Sequence, residues 1–308
     1  MNRRVLVTGG AGFIGSHCVD ALLARGEKVT VLDIVPQHDA IRLAHCAEQI
    51  TYIEGDIRDR EVSNEAVEGH SHILHLAALV SVPRSIEDPI TAHDTNVTGT
   101  LNVFDAARHH HVERVVYASS AAVYGATDQV PTHEEVPAQP SSPYGLHKHI
   151  NEQYARLYHT LYGLSTCGLR FFNVYGSRQD PTSPYSGVIS IFMKRARGGD
   201  SLTVYGDGSA TRDFVHVHDV VASCLAALDE VEGGGDVFNV GTGVAVSLNE
   251  LIVAIGVATN HTCTTEYHEP RAGDILHSCA DIRKITAALH ITPHTKLTDG
   301  LREIIQHQ

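Results

Sequence analysis

The chain has 308 residues, of which 43% are hydrophobic and 19% charged, and its formal net charge is -13. This length suits one large or two closely joined globular domains. No run of about 18 uncharged apolar residues occurs, so we expect no membrane span. Nucleic-acid binders carry basic surfaces, and the acidic balance argues against such a partner. The first residues read as a strand rather than a signal peptide, so we expect a cytoplasmic protein.

Neither disulfides nor a metal site are expected. The six cysteines are scattered, with no C-x-x-C pair of the kind that binds zinc or forms a redox centre. His109, His110 and His111 form a run that could suggest metal ligands. Because the run follows a helical segment, we interpret it as a solvated helix end, where histidine favours the C-terminal dipole.

Short apolar segments alternate with helical ones in the first half of the chain. Such alternation indicates an α/β fold, a doubly wound parallel sheet of the Rossmann type. After residue 173 the pattern changes to loops and short elements, including an apolar helix at 188–196, which indicates a smaller C-terminal α/β substrate-binding lobe. We predict domains at 1–172 and 173–308, with about 212–241 returning to the main sheet. Strands are predicted at 4–8, 28–33, 50–54, 72–77, 114–119 and 167–172, with a helix at 13–25.

Three glycines lie between the first predicted strand and the first helix. Gly9 permits a tight turn, Gly12 lets backbone N–H groups approach a pyrophosphate, and Gly15 lets the helix pack closely on the sheet. The helix N-terminus then faces the phosphates. Asp33 ends the second strand, near the spacing at which a carboxylate binds the adenosine ribose diol, and no arginine follows it to receive a 2′-phosphate. The cofactor predicted is NAD rather than NADP.

Tyr144 and Lys148 stand four residues apart in a helical segment and therefore share one face. Together with the glycine turn and the strand end at Ser119 and Ser120, they resemble the extended short-chain dehydrogenase/reductase family along nearly the whole chain. The resemblance implies that Ser120, Tyr144 and Lys148 are catalytic. Ser120 is favoured over Ser119 because it lies five residues before Gly125, where family members place the catalytic hydroxyl, and Ser119 is expected at the nicotinamide.

The proposed chemistry can be stated from the residues themselves. A tyrosine has an ordinary pKa near 10, so it needs a neighbouring cation to act as a base near pH 7. Lys148 and the oxidised nicotinamide would both supply one. Tyr144 would then take the proton from a sugar 4-hydroxyl while the hydride passes to NAD, with Ser120 bonded to the same oxygen.

The resemblance also implies further contacts for both ligands. Cofactor contacts are expected at Gly9, Gly12, Phe13, Ile14, Gly15, Asp33, Asp56, Ile57, Leu76, Ala77, Ala78, Asn96, Ser119, Tyr144, Lys148 and Phe171. Substrate contacts are expected at Ser81, Ser120, Asn173, Val188, Tyr205, Arg212, Arg271, Asp274 and Ser278. The arginines suit bidentate recognition of a diphosphate in an otherwise acidic protein.

The segments are most similar to those of UDP-glucose and UDP-N-acetylglucosamine 4-epimerases. Ser278 is small where relatives restricted to UDP-glucose carry tyrosine, so we expect interconversion of UDP-GlcNAc and UDP-GalNAc, with UDP-Glc and UDP-Gal as further substrates, in polysaccharide biosynthesis. A 4,6-dehydratase would carry Asp-Glu at Ala121 and Ala122. The alternatives left open are a UDP-uronic acid 4-epimerase, a dehydratase, a 4-ketoreductase and a non-catalytic NAD-binding relative.

Relatives dimerise through two helices that form a four-helix bundle. The matching segments here are about 90–108 and 146–162. A homodimer is therefore expected.

Overall fold

The computed structural model describes residues 3–180, 187–230, 233–270 and 275–306. The chain divides into two compact units. The first comprises Met1–Gly125, Pro137–Arg170 and Val221–Phe238, and the second comprises Ala126–Val136, Phe171–Val220 and Asn239–Gln308. Compared with the predicted boundary at 172, the structure assigns Ala126–Val136 to the second unit, and the segment that returns to the first begins at Val221 rather than 212.

Strands and helices alternate through the first part of the chain. Three 3₁₀ segments, Gln37–Asp39, Ile41–Gln49 and Ala121–Val123, and one π-helical turn, Asp94–Thr98, connect them. The elements in chain order are β1 Arg4–Thr8, α1 Phe13–Ala24, β2 Lys28–Asp33, β3 Thr51–Glu54, α2 Arg60–Val67, β4 His72–His75, α3 Val82–Glu87, α4 Pro89–His93, α5 Gly99–His109, β5 Arg114–Ser120 and α6 Pro143–Tyr162.

The remaining elements are shorter on average and divide between both units. They are, in chain order, β6 Thr166–Phe171, β7 Asn173–Tyr175, α7 Val188–Gly198, β8 Leu202–Tyr205, β9 Thr211–His216, α8 Val217–Asp229, β10 Asp236–Val240, β11 Ala245–Ser247, α9 Leu248–Thr259, β12 Thr265–His268, α10 Arg283–Leu289 and α11 Leu297–Gln306. None of the helices in the described ranges has the length and apolar character that a membrane span requires.

A seven-stranded sheet in the order β10-β6-β5-β4-β1-β2-β3 forms the centre of the first unit. The pairings from β3 through β2, β1 and β4 to β5 are parallel. The direction in which successive strands are added to the sheet reverses between β1 and β4. Doubly wound sheets bind nucleotides at this position. The predicted doubly wound sheet is confirmed. Its core includes Leu6, Leu32, Ile73, Phe104 and Tyr117, each at most 1% exposed.

The second unit has two small sheets and a separate apolar core. One sheet has the order β11-β9-β7 and the other pairs β12 with β8. The core includes Phe192, Met193, Leu202, Leu251 and Leu301. The sequence predicted that about 212–241 returns to the central sheet. In the structure β9 belongs to the small sheet, and β10 is the strand of this segment that joins the central sheet. β9 and β10 are both short and rich in β-branched and aromatic residues, so their sequences alone do not indicate which sheet each strand joins.

Local signals at the helix ends agree with the helices that form. In α6, Ser142 caps the first turn by accepting a hydrogen bond from the Gly145 N–H, and Gly163 ends the helix with a φ of 71°. The predicted helix 90–108 forms as one uninterrupted helical run from Pro89 to His109, with the π-helical turn between α4 and α5. At the end of α5, His109 bonds the Asp105 carbonyl and His110 bonds Asn64, so these two histidines of the run have partners within the protein.

Candidate active site

The turn between β1 and α1 requires glycine at the predicted positions. Gly9 has a φ of 71°, and a Cβ there would stand 2.7 Å from the backbone nitrogen of Ala77. A Cβ on Gly15 would overlap the carbonyl oxygen of Gly9. Strand, turn and helix are thus packed without room for side chains. This leaves the backbone of the turn open to a close-lying phosphate group.

The start of α1 fits a pyrophosphate. Gly12 precedes Phe13 and Ile14, and no side chain of the described residues caps the helix. Its first turn also lacks acidic residues. The unpaired N–H groups and the positive end of the helix dipole suit an anion. The residues present therefore fit the diphosphate of NAD.

Asp33, at the end of β2, is held beside this turn. Its carboxylate accepts hydrogen bonds from the Ala11 N–H at 2.9 Å and the Val35 N–H at 3.1 Å. An ionised carboxylate has about four acceptor positions, so two remain for a ribose diol. Asp33 is 9% exposed, so its carboxylate is held in place by the surrounding residues and is still accessible to a ligand.

Further predicted cofactor residues follow β3 and β4. Asp56 pairs with Arg58 at 2.5 Å, and Ile57 lies in the core. Asn96, in the π-helical turn, accepts from the Leu79 N–H at 2.7 Å and donates to the Leu79 carbonyl at 3.0 Å. Its amide therefore fixes the loop that contains Leu76, Ala77 and Ala78. π-helical turns occur often at functional sites.

The structure brings Ser120, Tyr144 and Lys148 together. β5 ends at Ser120, whose side chain lies close enough to the phenol of Tyr144 to lower its pKa. The Lys148 ammonium lies 5.8 Å from the centre of the Tyr144 ring and donates to the Ala118 carbonyl at 2.8 Å. Both Tyr144 and Lys148 are buried. Side chains from one strand end and one helix face thus converge on a single spot.

Electrostatics at this spot differ from the sequence-based expectation. Burial raises the pKa of Tyr144, and the hydrogen bond from Ser120 only partly opposes the rise. Burial lowers the pKa of Lys148 to about 8, while Glu152 acts in the opposite direction. The expected lowering of the Tyr144 pKa by Lys148 is therefore not achieved by the protein alone. Desolvation of the phenolate is the largest influence on this pKa, and the lowering that opposes it comes from Ser120.

Ser119 and Ser120 have separate partners. The Ser119 hydroxyl donates to the Glu152 carboxylate at 2.6 Å, whereas Ser120 faces Tyr144. Sequence reasoning missed Glu152 and also Ser85, whose hydroxyl accepts from the Tyr144 N–H at 3.2 Å. The spacing of Glu152, four residues after Lys148 on the same helix face, could have indicated it.

The remaining predicted substrate residue of the first unit is Ser81. It is buried and caps α3 by accepting from the Arg84 N–H at 3.1 Å. Phe171 ends β6 and is 8% exposed.

Most predicted substrate residues lie in the second unit. Asn173 begins β7, Val188 begins α7, and Tyr205 ends β8. Arg212 lies in β9, beside Thr211, whose carbonyl accepts from the Ser278 N–H at 3.2 Å. The structure therefore places Ser278 next to the strand that carries Arg212. Arg271 and Asp274 lie outside the described residues.

Two groups within the described ranges bring three potential metal ligands together. In one, His45 Nε2 lies 2.7 Å from the Asp20 carboxylate. In the other, the backbone N–H of His218 donates to His216 Nδ1 at 3.4 Å. A histidine that binds a metal through one ring nitrogen normally donates a hydrogen bond from the other, whereas here that other nitrogen accepts one. We assign no metal to either. The groups are Asp20, His45 and Cys46, and His216, His218 and Glu303.

Known proteins resemble this chain over almost its full length. The UDP-glucose 4-epimerase of Mycolicibacterium smegmatis is 39% identical over 307 residues, covering 98% of this chain and 97% of the relative. The solved structure of UDP-N-acetylglucosamine 4-epimerase from Methanobrevibacter ruminantium, in complex with UDP-N-acetylmuramic acid, has a TM-score of 0.94 at 34% identity, covering 99% and 98% of the two chains. That of UDP-glucose 4-epimerase from Thermus thermophilus, in complex with NAD, has a TM-score of 0.90 at 36% identity, with the same coverage.

A profile of the NAD dependent epimerase/dehydratase family matches residues 5–241. The match spans the glycine turn, Asp33 and the Ser120, Tyr144 and Lys148 cluster. It confirms the family resemblance and the choice of NAD as cofactor. The chain belongs to the NAD-dependent epimerase/dehydratase family.

Proposed function

We propose that this protein is a UDP-sugar 4-epimerase and that its main reaction interconverts UDP-GlcNAc and UDP-GalNAc. The observation that carries the proposal is the convergence of three side chains: Ser120 lies close enough to Tyr144 to lower its pKa, and the Lys148 ammonium lies 5.8 Å from the centre of the same ring. A hydroxyl, a phenol and a buried ammonium in this arrangement can bind a sugar hydroxyl and move its proton. The similarity to 4-epimerases along the whole chain supports the reaction class.

In the proposed mechanism, Tyr144 accepts the proton of the sugar 4-hydroxyl and later returns it. Ser120 donates a hydrogen bond to the same oxygen and so orients it toward Tyr144. Because burial raises the pKa of Tyr144 in the protein alone, the base form needs added positive charge. NAD⁺, held by the glycine turn and Asp33, would supply that charge and would serve as the acceptor for the C4 hydride. Rotation of the 4-keto sugar before the return steps inverts C4.

We assign binding of the UDP moiety to residues of the second unit. Arg212, with Asn173 and the predicted Arg271 and Asp274, would hold the diphosphate and uridine, because guanidinium groups bind phosphates in a bidentate manner. Ser278 is held beside Thr211 and Arg212 by its backbone. A small residue at this position leaves space for a 2-acetamido group. The neighbouring structure named for UDP-N-acetylglucosamine supports the same choice.

The alternatives predict different chemistry. A 4,6-dehydratase needs an additional acid and base, and the residues after Ser120 are Ala121 and Ala122, which cannot transfer protons. A UDP-uronic acid 4-epimerase would use the same trio but would prefer a 6-carboxylate. A ketoreductase would consume added reduced cofactor, and a non-catalytic relative would not turn over any sugar.

We also propose that the protein is a homodimer. Apolar side chains lie exposed on α4 and along α6, where Ile90 is 71%, Leu157 50% and Leu161 64% exposed. A symmetric interface in which these helices pack against the same helices of a second copy would bury the apolar side chains, and burial of apolar surface favours association.

The deciding experiment gives the purified protein UDP-GlcNAc, UDP-Glc or their uronic acids without added NAD and separates the products. The expected result is UDP-GalNAc from UDP-GlcNAc, at a higher kcat/KM than UDP-Gal from UDP-Glc. A 4-keto-6-deoxy product would identify a dehydratase. No product with any of the sugars, from protein that retains NAD, would contradict the proposed function.

A further inference from the structure

A buried charged network lies beneath the proposed catalytic residues. Glu152 is 2% exposed and accepts from Arg170 at 2.8 Å through Nε and at 2.7 Å through Nη2. The same carboxylate accepts from the Ser119 hydroxyl at 2.6 Å. Arg170 also donates to the Tyr124 hydroxyl at 2.8 Å and stacks 4.7 Å from that ring. Each charged group is therefore paired within the network.

The network completes a regular set of contacts between β5 and α6. Three consecutive β5 positions each bind a different turn of the helix. The Ala118 carbonyl accepts from Lys148, and the Ser119 hydroxyl donates to Glu152. The Ser120 side chain lies close enough to Tyr144 to lower its pKa. The partners in α6 are spaced by four residues, so they form one stripe along the helix.

Glu152 remains ionised over the working pH range. Burial opposes ionisation, but hydrogen bonds from Arg170 and Ser119, together with His149 at 3.7 Å, outweigh it and bring the pKa of Glu152 down to about 2. Arg170 holds its carboxylate in a bidentate pair, which gives a fixed orientation. The result is a permanent, rigid anion one helical turn from Lys148.

The other groups facing Lys148 are uncharged near neutral pH. His75 is buried and its pKa falls to about 3, and burial lowers the pKa of His147 to about 4. Tyr144 is protonated in the protein alone, because burial raises its pKa. Among the described residues, Glu152 is thus the charged group that acts on the Lys148 ammonium.

We propose that Glu152 is a positioning residue for the catalytic trio: through Ser119 it holds the end of β5 so that Ser120 reaches Tyr144, and it provides the counter-charge for the Lys148 ammonium. The proposal rests on the proposed function, since it assigns to the trio the roles given above. It also gives Ser119 a role of its own. Ser119 supports Ser120 from the neighbouring position rather than sharing its contact with the sugar oxygen.

The positional part is tested with Ser119→Ala, which leaves the Glu152 and Arg170 pair intact. Because the lost hydrogen bond is one to a charged group, kcat should fall on the order of tenfold or more if alignment of Ser120 depends on it. KM for the UDP-sugar should stay within about twofold, since the uridine contacts are assigned elsewhere. Ser119→Thr keeps the hydroxyl and should restore kcat. Thr166→Val, which removes a buried hydroxyl bond to Ala155 in the same unit, serves as the control.

The electrostatic part is tested by NMR titration of lysine labelled with ¹³C at Cε. The chain has five lysines, and Lys148→Met identifies the Lys148 signal. Loss of an opposite charge at this range should lower the Lys148 pKa by about 1 in Glu152→Gln. Ser119→Ala should leave it unchanged. Because Glu152→Gln leaves Arg170 buried without its carboxylate and can impair folding, the double variant Glu152→Gln/Arg170→Met provides the same measurement without an unpaired charge.

Wild-type kcat in Ser119→Ala would overturn the positional role, and an unchanged Lys148 titration in both Glu152 variants would overturn the counter-charge role. Failure of the proposed function would look different. The wild-type protein would then turn over no UDP-sugar, and the Lys148 titration, which needs no substrate, would decide the proposal by itself.

Discussion

Gly145 lies directly against Ala122, and a Cβ on Gly145 would stand 2.5 Å from the Ala122 carbonyl oxygen. The first turn of α6 can therefore rest on the 3₁₀ turn that follows Ser120. This close approach keeps Tyr144, the residue before Gly145, beside Ser120, whose side chain lowers the Tyr144 pKa. The absence of a side chain at position 145 thus has a direct consequence for the proposed chemistry.

Gly145→Ala should push α6 away from β5. The added methyl group would meet the backbone carbonyl of Ala122, which cannot move aside as a flexible side chain can. We expect a loss of about 1–3 kcal/mol in the free energy of unfolding and a fall in kcat larger than the change in KM. Denaturant unfolding and steady-state kinetics measure the two effects. Gln153→Ala, on the exposed face of the same helix, is the control and should change stability by less than about 0.5 kcal/mol. A Gly145→Ala protein with wild-type kcat would contradict the importance of this contact.

Tyr144→Phe should lower kcat by at least about a hundredfold, the scale of a lost general base. Retention of NAD is expected, because the phenol is not needed for the glycine turn or for Asp33. Absorbance of the purified protein and product analysis measure both properties. Tyr154→Phe, an exposed tyrosine on the same helix, is the matched control. Near-normal turnover in Tyr144→Phe would remove Tyr144 from the role of base.

Lys148→Met should abolish turnover and yet stabilise the NAD-free protein near pH 7. Burial lowers the pKa of Lys148 to about 8 from an ordinary 10.5. Between these values the unfolded chain binds more protons than the folded one, so wild-type stability rises with pH, and below pH 8 the full cost of burying the cation applies. After allowance for the orphaned Ala118 carbonyl, the gain should be about 1–2 kcal/mol.

The advantage of Lys148→Met should therefore shrink as the pH rises from 8 toward 10.5. Denaturant unfolding of both proteins across this range measures it. Lys28→Met, at an exposed position, should show no such pH-dependent difference. A variant less stable than the wild type at every pH would show that the Lys148 to Ala118 hydrogen bond outweighs the desolvation.

Asp33→Asn should weaken NAD binding and reduce the preference for NAD over NADP. The amide retains one oxygen acceptor but loses both the charge that repels a 2′-phosphate and one acceptor for the ribose diol. Calorimetry with each cofactor on cofactor-free protein gives the ratio of the two Kd values. The same ratio in variant and wild type would show that cofactor choice is made elsewhere.

Ser278→Tyr should exclude N-acetylhexosamines by steric bulk while sparing or raising activity on UDP-Glc. The measurement is the ratio of kcat/KM for UDP-GlcNAc to that for UDP-Glc. His277→Tyr adds the same bulk one residue earlier, where the side chain of an extended segment points to the other side, and His277 bonds Thr211 there. This control should keep the wild-type ratio. If Ser278→Tyr still turns over UDP-GlcNAc equally well, Ser278 does not govern the 2-substituent.

Features that depend on short stretches of chain were predictable from the sequence. The glycines at 9, 12 and 15 act through backbone geometry within one turn, and Tyr144 and Lys148 share a face because of the helical period. Strands β1 and β2 have the predicted bounds, and the alternation of strands and helices indicated the parallel sheet. The glycine signal lies within one turn and the Tyr144 and Lys148 signal within one helix, whereas the alternation is a series of such short segments.

Features that depend on which distant segments meet were decided only by the tertiary structure. The pairing of β9 with β7 and β11, rather than with the central sheet, is one such feature. The separation of Ser119 from Ser120 is another, because adjacent identical residues differ only in what α6 presents to each of them. The pKa of Tyr144 is a third, since burial depends on the whole fold and outweighs the nearby cation that the motif alone suggests. Local spacing thus determined which residues come together along a strand end or a helix face, whereas long-range packing determined their partners and their charge.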